Sequence, residues 1–151
     1  MEKIHFDIMI HAPASSVYDA IINKKLYEVW SAEFNPGSTF EGSWNKGDKI
    51  LFVGVSGEGK QEGMVAMIKE NIPGKQISIQ HQGLFQGGQE ITEGQEVEKW
   101  KGAMEEYFIK EENGTTRFSV AIDIVPEFKE YFIETWPKAL EKLKEIAEQN
   151  P

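Results

Sequence analysis

The sequence predicts an α+β fold: an antiparallel sheet closed on one face by a long C-terminal helix, with two short helices after the first strand. Apolar and polar residues alternate with a period of two over residues 4–11 and 76–84, the mark of strands with one buried face, and most of the chain before residue 125 reads as strand. The tail, residues 125–150, instead places Phe128, Phe132, Trp136, Ala139, Leu140, Leu143 and Ala147 at steps of three and four, one stripe of a helix. Lys138, Glu141, Lys142, Lys144, Glu145 and Glu148 occupy its other side. Turn signals at Ser56-Gly57-Glu58-Gly59 and Asn113-Gly114 join neighbouring strands as hairpins.

Ile4, Phe6, Ile8 and Ile10 alternate with His5, Asp7, Met9 and His11, so the chain opens with a strand that stops at Ala12-Pro13. Pro13 suits a helix start, and Val17, Tyr18, Ile21 and Ile22 fall at helical spacing. Leu26, Val29 and Trp30 continue in a second short helix after Asn23. Turn chemistry over residues 34–38 precedes a short strand, residues 39–44, and a tight turn at Asn45-Lys46-Gly47-Asp48.

Strands over residues 49–55 and 60–72 flank the Ser56 turn, and both of their faces are apolar. Pairing about a turn of residues 56–59 groups Ile50, Phe52, Val65 and Met67 on one side and Leu51, Val53, Met64 and Ala66 on the other, leaving open which faces inward. In the next strand Ile77, Ile79 and His81 share a face, so His81 is expected to point into the core. Residues 86–96 are polar and glycine-containing and read as a mobile surface flap. Strands over residues 97–110 and 115–125 follow as a hairpin. A two-residue loop at Asn113-Gly114 turns Glu105 and Tyr107 inward with Phe118, Val120 and Ile122, whereas a three-residue loop turns Trp100, Met104, Glu106 and Phe108 inward. Pro137 is expected to kink or restart the last helix, because it lacks the amide that bonds one turn back.

Composition sets limits on function. With 151 residues and 40% apolar content the chain is expected to form one domain over residues 1–151. A net charge of −9 argues against nucleic acid or an anionic membrane as a partner. The absence of cysteine leaves no disulfide and no thiolate chemistry. The first residues show no apolar signal region and no apolar run is long enough to span a bilayer, so a cytoplasmic location is expected.

Three stretches carry a family resemblance: residues 10–20 at the first strand-to-helix junction, Gly42-Ser43-Trp44-Asn45-Lys46-Gly47-Asp48-Lys49-Ile50, and Thr135-Trp136-Pro137-Lys138-Ala139-Leu140-Glu141-Lys142-Leu143. With the element order, they resemble the START-like, or helix-grip, superfamily, and within it the branch named for the activator of the heat-shock-protein-ninety ATPase. The resemblance implies a curved antiparallel sheet of six to seven strands wrapped around the C-terminal helix. It also implies a hydrophobic or amphipathic small molecule bound between sheet and helix. Some relatives are cyclases or hydrolases, so an enzyme is the alternative, and a homodimeric interaction module without ligand is another.

Phe34, Phe52, Phe132 and Trp136 are expected at the mouth and wall of that ligand space, with Met67, His81, Glu105 and Tyr107 completing the ligand-binding set. His81 and Glu105, an imidazole and a carboxylate on one inner face, are the candidates for acid/base chemistry and equally for anchoring a ligand's polar end. No cofactor or metal is expected. His5 and His11 are too far apart along their strand, and Glu90, Glu93, Glu96 and Glu98 lack the ligand order of a calcium loop. Ser15 and Ser16 sit near a helix start outside any nucleophile elbow, and the glycine pairs near residues 57 and 87 belong to turns.

Overall fold

The computed structural model describes residues 1–150. The elements run β1 (Glu2–Ile10), α1 (Ala14–Ile22), α2 (Lys24–Ser31), β2 (Thr39–Gly42), β3 (Lys49–Val55), β4 (Gln61–Ile72), β5 (Gln76–Gln86), β6 (Gln89–Ile91), α3 (Gln95–Glu98), β7 (Met104–Glu112), β8 (Thr115–Ile124), a 3-10 turn (Pro126–Phe128) and α4 (Lys129–Gln149). The strands form one antiparallel sheet in the order β1-β8-β7-β5-β4-β3-β2, with β6 added to β5. Helices α1, α2 and α4 pack together, and α4 also meets β1, which is the helix-grip arrangement. No helix among the described residues is long and apolar enough to cross a membrane.

The β7–β8 register is that of a two-residue loop: Glu105 faces Ile122, Tyr107 faces Val120 and Ile109 faces Phe118. Asn113 and Gly114 make this possible, because both adopt positive φ, 54° and 81°, as a tight hairpin turn requires. The inner face of the sheet then continues through Phe6, Ile8 and Ile10 of β1, Phe118 and Val120 of β8, Ile77 and Ile79 of β5, Ala66 and Ile68 of β4 and Ile50 of β3. These side chains form one cluster with Trp136, Leu140 and Leu143 of α4. The strand-to-helix junction after β1 is fixed by the buried Thr116 hydroxyl, which donates to the Ala12 carbonyl at 2.7 Å.

Several expectations are corrected. In the β3–β4 hairpin Ile50 pairs with Ala66 and Phe52 with Met64, one residue out of the anticipated register. The cause is Ser56: its hydroxyl accepts from the amides of Glu58 and Lys60, and its own amide donates to the Lys60 carbonyl, so Lys60 belongs to the turn. That one-residue change puts Met64 on the face of Phe52 and Met67 on the opposite face. Residues 86–96 form the end of β5, β6 and α3 instead of a loose flap. Val97 is buried, Lys49 of β3 reaches Glu90 at 2.6 Å, and Gly83 allows the Ile91 carbonyl to lie where a β-carbon would stand only 2.3 Å away. Strand β7 therefore starts at Met104 and not near residue 97.

Helix α2 is rotated from its expected face: Tyr27, Trp30 and Ser31 are buried, while Val29 is exposed. Helix α4 runs through Pro137 without a break. Pro137 and Ile133 both lie on its exposed side, so the carbonyl that loses its helical donor is open to water. Phe128 stays outside the apolar stripe, in the 3-10 turn, and Ile146 joins it.

Candidate functional site

Between the sheet, α2 and α4 lies a cavity of about 550 Å³. Tyr27 and Trp30 of α2 form one wall, and Phe52 and Met64 of the β3–β4 hairpin a second. Glu105 and Tyr107 of β7 with His81 of β5 line a third, and Phe132 and Trp136 of α4 complete the enclosure. Phe34 stands beside the opening, where Phe128 and Tyr131 are about half exposed. The Tyr131 hydroxyl donates to the Phe34 carbonyl at 2.9 Å, tying the loop after α2 to the start of α4.

The polar group of the cavity is built by strand periodicity. Glu105 and Tyr107 are two residues apart on β7 and so share a face, and the Tyr107 hydroxyl donates to Glu105 Oε2. The regular β5–β7 ladder ends at Gln80 and Met104. Beyond it the amide of His81 donates to the Ala103 carbonyl at 2.9 Å and the amide of Gly102 donates to the His81 carbonyl at 2.8 Å. These two bonds hold His81 beside β7, where its Nε2 lies 3.2 Å from Glu105 Oε1. The side chains of His81 and Glu105 are 14% and 20% exposed, which leaves both reachable from the cavity. His81 Nδ1 is buried without a hydrogen-bond partner.

Burial and, after it, the negative charge of Glu105 push the Tyr107 hydroxyl well above the ordinary tyrosine range. Tyr27 is raised for the same two reasons in the same order, opposed by hydrogen bonds from Ser38 and Ser31. Both phenols therefore stay neutral, and that of Tyr107 donates to Glu105.

The aromatic walls interlock. Trp136 meets Phe34 edge-on at 5.0 Å between ring centroids, Tyr107 at 6.1 Å, Trp30 at 6.2 Å and Phe6 at 6.3 Å. It is only 3% exposed, and its indole N–H has no partner. Phe52 packs edge-on to His81 at 6.3 Å and lies 6.1 Å from Tyr27.

Of the residues anticipated for ligand contact, Phe34, Phe52, His81, Glu105, Tyr107, Phe132 and Trp136 come together at this cavity, and Met67 does not. Met64 takes its place for the reason of register given above. Sequence reasoning missed Tyr27 and Trp100 as lining residues. The spacing of Tyr27, Trp30 and Ser31, at i, i+3 and i+4, was a signal for the first; Trp100 lies in a turn with no periodicity to betray it.

No protein-family model matches the chain, and no curated protein matches it. Solved structures of the same fold are numerous. The solution structure of the Aha1 dimer from Colwellia psychrerythraea is similar at a TM-score of 0.71 and 19% identity, over 98% of this chain and 97% of that one. A crystal structure of a Nitrosomonas europaea protein is similar at a TM-score of 0.72 and 12% identity, over 98% and 95% of the two chains. A Mesorhizobium loti protein is similar at a TM-score of 0.72 and 12% identity, over 99% of each chain. At these identities the likeness shows the fold alone.

Proposed function

We propose that this chain binds a hydrophobic or amphipathic small molecule in the cavity between the sheet, α2 and α4, as a START-like domain of the branch that resembles Aha1. The cavity itself carries the reading: about 550 Å³, walled mainly by aromatic and aliphatic side chains, with polar atoms gathered at His81, Glu105 and Tyr107. That volume and that pairing of an apolar wall with few convergent polar groups match small-molecule sites in general. In this reading the three polar residues hold the ligand's polar end.

Thermal denaturation with a panel of lipophiles, including alkyl amines, alcohols, fatty acids and aromatic lactones, tests the proposal. A ligand at about a hundred times its dissociation constant stabilises the folded state by about 2.7 kcal/mol, and for a chain of this size that raises Tm by about 5–10 °C. No shift from any class, with unchanged tryptophan emission, would overturn the reading.

A homodimer is the second reading, supported by the dimeric Aha1 structure of the same fold. Val53 of β3 and Val65 of β4 are buried within the chain and offer no free surface for pairing. Met9 of β1 and Phe108 of β7 are exposed, so a contact across the outer face near β1 and β7 is favoured. Sedimentation equilibrium at high protein concentration decides: a single species of monomer mass removes the dimer.

A further inference from the structure

Apart from His81, the acidic and basic side chains around the cavity are all of one sign. Glu62, Glu105 and Asp123 line it, and no lysine or arginine does. Asp123 is already answered by Lys3 at 2.9 Å and by the Met104 amide at 3.0 Å. Glu62, exposed near the opening, makes no salt bridge among the described residues. Glu105 meets only the Tyr107 hydroxyl and His81, one contact to each oxygen. A carboxylate accepts up to about four hydrogen bonds, so Glu105 retains acceptor capacity and is reachable from the cavity.

A group that approaches this carboxylate favourably must donate. The flanking surfaces are aromatic: Phe52 lies beside His81, Tyr27 beside Phe52, and Tyr107 joins Glu105 to Trp136. Faces of such rings attract cations, and they do so most strongly where water is displaced. The net charge of −9 draws cations toward the molecule and opposes anions. Resting on the binding function proposed above, the geometry points to an organic cation as the ligand: a lipophilic amine whose ammonium group donates to Glu105 while its apolar part fills the aromatic cavity. A fatty acid, a phosphate ester or another anionic amphiphile finds no lysine or arginine along the lining to receive it, and His81, the basic side chain that is there, already faces Glu105.

Titration calorimetry on the full chain at physiological salt, with decylamine, decanol and decanoate below their micelle concentrations, separates the possibilities. These probes share one tail length and differ in head group. Decylamine is expected to bind at least about a hundredfold more tightly than decanoate, since a carboxylate would face Glu105 across an apolar interior. Glu105→Gln is expected to weaken decylamine about tenfold or more and to leave decanol within about twofold. Glu41→Gln, an exposed change away from the cavity, is expected to alter none of the three, which separates the effect of Glu105→Gln from that of the lost net charge.

If decanoate or decanol matches decylamine, or if Glu105→Gln leaves decylamine binding intact, the cation assignment is overturned and cavity binding stands. If none of the three binds, the cation assignment falls, and the thermal panel described above, which includes aromatic lactones, decides the binding function separately. Should Glu105→Gln fail to fold, the wild-type order of the three probes decides alone.

Discussion

Trp136 offers the sharpest separation between a pocket wall and a core residue. The ring is 3% exposed and meets Phe6, Trp30, Phe34 and Tyr107 at centroid distances of 5.0–6.3 Å. Burying a tryptophan removes roughly 200 Å² from water, worth about 5 kcal/mol at about 25 cal/mol per Å². One term runs the other way: the indole N–H is buried without a partner, and deleting it relieves a penalty of about 1–3 kcal/mol. Trp136→Ala should therefore cost about 2–4 kcal/mol, overlapping the range for truncating large aromatics in a core. Trp136→Phe keeps a ring in place and removes the orphan donor, so it should lie within about 1 kcal/mol of wild type. Urea unfolding followed by far-ultraviolet dichroism measures both, provided that the denaturant slope is unchanged. A loss below about 1.5 kcal/mol for Trp136→Ala, or equal losses for the two variants, would refute the argument.

Two further outcomes follow from the same geometry. Tyr27 and Tyr107 have folded pKa values raised above the ordinary value of 10.0, so the stability tied to their neutral forms is complete below about pH 10 and is lost as the pH rises toward the folded values. Each phenol contributes a slope of up to about 1.4 kcal/mol per pH unit, and Tyr107→Phe should remove one such contribution above pH 10; parallel wild-type and variant curves in urea titrations would contradict the buried phenol. Gly63 leaves no room for a side chain, since a β-carbon there would stand 1.8 Å from the Phe52 carbonyl oxygen. Gly63→Ala should lower stability by at least about 2 kcal/mol, and a urea midpoint unchanged within error would disprove the close approach.

Much of the architecture was legible because local chemistry and long-range pairing agree. Asn113-Gly114 tolerates positive φ at both positions, and its two-residue loop was one of two registers compatible with the sequence; once adopted, it places Glu105 and Tyr107 inward. His81 followed from simple alternation with Ile77 and Ile79. The β3–β4 hairpin was less legible because both strand faces are apolar, so hydrophobic pattern set no register and a single hydroxyl, that of Ser56, did. Residues 86–96, read as a flap, were opaque for the opposite reason: the buried Val97 that follows them outweighs a composition that resembles a loop. The cavity wall supplied by Tyr27 depended on which side of an eight-residue helix turns inward, and so short a helix carries little periodic signal.

The pairing of β1 with β8 has a temporal side. Ile10 lies opposite Thr116 and Glu2 opposite Ile124, so β1 is synthesised before the other strands of this sheet and joins it only through β8, which is made after them. At about 5–20 residues per second, roughly 6–20 s of synthesis separate the two, and during that interval the apolar side of β1 has no sheet to lie in. Such distant contacts also slow refolding of the finished chain, because the long loop must close before the contacts stabilise it. The polar residues that alternate through β1, His5 and Asp7 among them, keep that waiting strand half hydrophilic while its partner is still being made.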